Sequence, residues 1–60
     1  MFILVRVSDN TIVGNANNPV NVHEASRQGR KVYEIDDEDF TPDMIGQKLS
    51  EYKVIEWIIH

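Results

Sequence analysis

Apolar residues gather at the two ends of the chain, in Phe2-Ile3-Leu4-Val5-Arg6-Val7 and Val54-Ile55-Glu56-Trp57-Ile58-Ile59, with mostly polar sequence between them. β-branched and aromatic side chains dominate both runs, so both read as strands. In the first, alternation puts Phe2, Leu4 and Arg6 on one face and Ile3, Val5 and Val7 on the other. In the last, Val54 and Ile58 share one face, and Ile55, Trp57 and Ile59 the other. A strand that is apolar on both sides belongs in the middle of a covered sheet or in a subunit interface. The expectation is a core assembled from the opening and closing segments together.

Between these runs, Ser8-Asp9-Asn10 is turn material, because Asp and Asn tolerate left-handed backbone. Thr11-Ile12-Val13 then reads as the return strand of a hairpin, ended by Gly14 and the polar run from Asn15 to Pro19. Asn21 can cap a helix of about two turns, with Glu24 at its third position, Val22 and Ala25 on its apolar side, and Gly29 as its left-handed stop. Arg30 to Ile35 returns to strand character, with Tyr33 and Ile35 on one side and Val32 on the other.

A second helix is predicted over residues 42–51. Thr41 stands at its N-cap, Pro42 at its first position and Asp43 near the positive end of its dipole, while Phe40 can staple onto Ile45. Ile45, Leu49 and Tyr52, with Met44 beside them, would pack one helix face on a sheet. Gly46 would weaken that helix by up to about 1 kcal/mol but allow a close approach to the sheet. The whole reads as one small α+β domain over residues 1–60, mainly antiparallel, in the order ββαβαβ.

Length sharpens the picture. A chain of 60 residues hides only about 60% of its unfolded surface, so its single core is marginal. It has no cysteine, and two histidines, His23 and His60, are too few for a structural zinc. Association is the remaining source of buried apolar area. A homodimer is therefore expected, with Ile55, Trp57 and Ile59 as its interface. The net charge of −4 disfavours binding to nucleic acid or to an anionic membrane. The first strand lacks the basic start of a signal peptide, and no run reaches the length of a membrane span. A cytoplasmic location is the expectation, in the host cytoplasm if the source is viral.

Candidate chemistry is sparse. From Glu34 to Asp43 the chain has six carboxylates and no base. A calcium loop opening at Asp37 would need glycine where Pro42 stands and glutamate where Lys48 stands, so that spacing fails. Two readings of Asp36, Asp37, Glu38 and Asp39 stay open: a solvated connection, or a partner-binding surface that, set against Arg27, Arg30 and Lys31, steers a basic protein. The serines Ser8, Ser26 and Ser50 and the histidines form no nucleophile–base pattern, and the glycines form no phosphate loop. No catalytic residue, cofactor or metal is expected. Trp57, Tyr33, Tyr52, Phe2 and Phe40 could stack nucleic-acid bases, but the neighbours of Trp57 are Glu56, Ile55 and Ile58 rather than basic residues.

The opening strand, the Asp-Asn turn, the short helix ending at Gly29, the strand Lys31-Val32-Tyr33-Glu34-Ile35 and the run Asp39-Phe40-Thr41-Pro42-Asp43-Met44-Ile45-Gly46 together resemble small uncharacterised proteins encoded by tailed bacteriophages. The likeness is one of style and covers residues 1–49. It implies either a host-protein inhibitor or a minor virion or assembly part, and it carries no functional residue to any position. The expected function is a non-catalytic protein-binding module that modulates a host protein. A structural subunit is the alternative, and a nucleic-acid binder stands behind both.

Overall fold

The computed structural model describes residues 1–57, without the side chain of Glu51. Four strands form one antiparallel sheet: β1 (Phe2–Arg6), β2 (Thr11–Ala16), β3 (Arg30–Glu34) and β4 (Ile55–Glu56), in the spatial order β2-β1-β3-β4. One helix, α1 (Val22–Arg27), links β2 to β3. Those two strands both run antiparallel to β1 and flank it, so the α1 connection passes over the central strand instead of joining neighbours.

The β1–β2 turn uses the residues expected of it. Asn10 takes φ 62°, a left-handed backbone that asparagine tolerates, and its N–H donates to the Arg6 carbonyl at 2.8 Å. The return strand is longer than predicted. Gly14 does not end it but lies inside it opposite Leu4, while Ile12 lies opposite Val5. The intervening Val13 is therefore the extra residue of a β-bulge. A Cβ on Gly14 would stand 3.4 Å from Leu4 Cδ1, so glycine lets the two strands meet closely there.

Period-two alternation divides the core between the two faces of the sheet. On one face Phe2 and Val32 are buried with Ala25 of α1, and Leu4, Val20, Val22 and Trp57 pack around them. On the other, Ile3, Val5, Ile12 and Ile35 are buried with Met44 and Leu49, flanked by Met1, Phe40, Tyr33, Tyr52 and Val54. The Asn21 side chain caps α1 as read from sequence, accepting from the Glu24 N–H at 3.0 Å.

The predicted helix over 42–51 does not form. In its place stand two single 3₁₀ turns, Pro42–Met44 and Leu49–Glu51. Gly46 separates them at φ 95°, and the chain there lies along the outer edge of β2. Gly46 N–H donates to Ile12 O at 2.7 Å, Ile12 N–H to Gln47 O at 2.9 Å, and Leu49 N–H to Asn10 O at 2.9 Å. A ten-residue helix interrupted by glycine is marginal on its own. Pairing these backbone groups with an otherwise open strand edge is the arrangement that prevails. The anchor also changes: Met44 is 1% exposed and Ile45 40%, the reverse of the predicted staple. This segment packs on the sheet face as irregular chain, so the architecture is α+β, with one α-helix among the described residues.

The closing strand is not central in the sheet, one of the two places expected for it. Among the described residues it pairs with β3 alone, at the sheet edge, and Ile55 is 74% exposed. The two ends of the chain still meet, because Trp57 packs on Phe2. Among the described residues no helix is long and apolar enough to cross a membrane.

Candidate functional site

A concavity lies on the α1 face of the sheet, and local chain geometry explains how it is built. Val22 and Ser26, one turn apart on α1, form its helical wall. Gly29, at φ 76°, reverses the chain after the helix and accepts from the Val7 N–H at 2.9 Å. That bond brings Val7 to the mouth of the groove and starts β3 at Arg30 beneath the helix end. Trp57 N–H donates to Val32 O at 2.9 Å, continuing the β4 pairing by one residue. The indole consequently lies on the α1 face, where it meets the Phe2 ring edge-on at 5.1 Å and 70°.

The resulting groove holds about 460 Å³ and is lined by Val7, Val22, Val32 and Trp57, with Ser26, Gly29, Arg30, Lys31 and Glu56 around them. That volume falls within the range of ligand and side-chain pockets. Ile55 shares the face of Trp57 by alternation but lies opposite Glu34, outside the groove lining. A smaller hollow of about 210 Å³ lies across α1 between Leu4, Val20, Asn21, Glu24, Ala25 and Gln28, and Arg30 borders both.

The acidic residues singled out from sequence are elsewhere. Asp36, Asp37, Glu38 and Asp39 form an exposed turn after β3, closed by the Asp39 N–H bond to Asp36 O at 2.9 Å. The Asp37 carboxylate pairs with the amino group of Met1, which also donates to Ile35 O at 3.1 Å. This turn follows the end of β3 opposite to Arg30 and the groove. Of the expected interface, Ile55 is exposed, Trp57 is half-buried against Phe2, and Ile59 lies outside the described residues, as does His60. His23 is an exposed residue of α1. Among the described residues no three His, Asp or Glu side chains cluster as a metal would require.

Electrostatic perturbation centres on the hairpin turn instead. Arg6 donates to Asp9 through Nε at 2.9 Å and Nη2 at 2.7 Å, a two-point pair. These bonds, with further ones from Thr11, hold the Asp9 carboxyl well below the usual carboxylate range, and Asp9 raises Arg6 in turn. Lys48 Nζ adds bonds to Asp9 O at 2.8 Å and Thr11 Oγ1 at 3.3 Å. The group lines neither of these two hollows and fastens the turn to the segment that covers β2, which gives the pair a structural role.

Sequence reasoning placed Val32 and Trp57 on apolar faces but did not find the groove. Val7 and Gly29 reach it through a single long-range backbone bond, and no local pattern announces that bond. No protein-family model, curated protein or solved structure matches the chain.

Proposed function

We propose that this chain is a non-catalytic protein-binding module whose docking surface is the groove between α1 and the β3–β4 edge. The observation that carries this reading is an apolar recess lined by Val7, Val22, Val32 and Trp57, in which Val7 is itself 54% exposed. Isolated exposed aliphatic residues mean little, but one bordering an apolar recess makes a contiguous patch of the kind that partners cover. Trp57 is the residue type most often found as an interface anchor. Beyond β4 the described residues place no further strand, so an incoming extended segment could add its backbone there while one side chain enters the recess.

Ser26 supplies the test, because it is exposed and lines the groove without being part of the core. Immobilised full-length chain would be presented to a lysate of its source cells, alongside a Ser26→Glu variant of unchanged circular dichroism. The reading expects a protein retained by the wild type and lost by the variant. Equal retention by both, or loss only when Asp36 to Asp39 are replaced by Asn and Gln, would move the docking surface away from the groove.

A further inference from the structure

Charge on β3 is polarised. Arg27, Arg30 and Lys31, half of the chain's six basic side chains, stand where α1 ends and β3 begins, and Asp36 to Asp39 follow the opposite end. At the basic end Lys31 is already engaged, its Nζ 3.6 Å from Glu56 Oε1. Arg30 Nη1 donates to Gln28 Oε1 at 3.3 Å, and among the described residues neither Arg27 nor Arg30 pairs with a carboxylate. In a molecule of net charge −4, Arg30 borders the apolar groove directly, and Arg27 follows the lining residue Ser26 in α1.

From this we infer that the groove selects a partner segment in which an apolar anchor residue is flanked by carboxylates. The inference rests on the groove being the docking surface and adds the chemistry of what docks. An aliphatic or aromatic side chain seated against Val32 and Trp57 holds its neighbours close to Arg30. A guanidinium there is weakly hydrated and offers forked donors matched to a carboxylate. A lysine or arginine in the same place meets like charge and loses hydration, so the wrong partner is repelled as well as unrewarded. The charge selection is opposite to that in one of the two readings of the acidic turn, in which Asp36 to Asp39 steer a basic protein.

The chain has one tryptophan, and it lines the groove, so fluorescence reports occupancy directly. Three synthetic peptides would be titrated to millimolar concentration into the full-length chain, each with a central leucine–phenylalanine pair flanked on both sides by two glutamates, two glutamines or two lysines. The acidic peptide should bind about tenfold more tightly than the basic one, the sum expected of two or three exposed charge contacts. That ratio should shrink at high salt. Arg30→Glu should invert the order, and Arg30→Gln should narrow it if the glutamate variant proves unfolded. Equal binding by all three peptides would overturn the selectivity while leaving the groove as a docking surface. Fluorescence that changes with protein concentration but with no peptide would assign the groove to a second copy, and silence from every peptide would overturn the inference. The Ser26→Glu capture experiment then decides separately whether the groove docks anything.

Discussion

At the scale of single residues, four substitutions carry tests of the fold. The Asp9 carboxyl is depressed chiefly by the Arg6 hydrogen bonds. A carboxylate whose folded value lies below its unfolded value of about 3.9 contributes stability in full above that value, and the contribution is lost as pH falls toward the folded one. The pair is exposed, so its effect on stability is small and salt-sensitive. The titration itself is the sharper readout. A carbon-detected NMR titration should find Asp9 below the ordinary range, and Arg6→Gln should bring it back up; an unchanged midpoint would mean the pair does not form. Asn21→Ala should cost about 1 kcal/mol in urea denaturation, the usual loss of a helix cap. Within one edge segment, Trp57→Ala should cost about 2 to 4 kcal/mol because its ring packs on Phe2. Ile55→Ala should stay within about 0.5 kcal/mol because it is 74% exposed. Asn21, Gly29 and the alternating faces of β1 and β3 were legible in the sequence, because each depends on neighbours within a few positions.

At the scale of elements, residues 40–49 separate what is local from what is not. Thr41, Pro42 and Asp43 do start a helical turn, so the start signal was read correctly. Its continuation was not, because Gly46 turns the chain so that its own N–H reaches Ile12 on a strand more than thirty positions earlier. Nothing in the spacing of Ile45, Leu49 and Tyr52 carries that information, and a helical face can coincide with an irregular one that buries Met44 and Leu49. Gly46→Ala distinguishes the two arrangements by sign. In a helix, alanine would stabilise by about 1 kcal/mol. At φ 95°, with open space around the new Cβ, it should destabilise by about 1 to 2 kcal/mol through backbone strain alone. Chemical denaturation of the two proteins reads that sign directly. Of the two places the apolar closing strand suggested, the middle of a sheet or a subunit interface, the first is not taken: among the described residues β4 pairs with β3 alone, and the recess lined by Trp57 accounts for some of that apolar surface.

At the scale of the whole molecule, one sheet is covered on both faces by different means. The six-residue α1 covers the side of Phe2 and Val32, and the irregular 40–54 segment covers the side of Ile3, Val5 and Ile12. Because α1 is short, it does not extend over the β3–β4 edge, and the groove is the surface it leaves open. The acidic turn, the most conspicuous feature of the sequence, is set apart from that groove by the length of β3. The most direct test is therefore a map of where a partner touches. Amide and indole shifts would be followed by two-dimensional NMR as the protein retained in the capture experiment is added to labelled full-length chain. The account predicts changes at Val22, Ser26, Arg30, Val32 and the Trp57 indole, with Asp36 to Asp39 little altered. Changes confined to Asp36 to Asp39, or to the opposite face around Met44 and Tyr52, would contradict it.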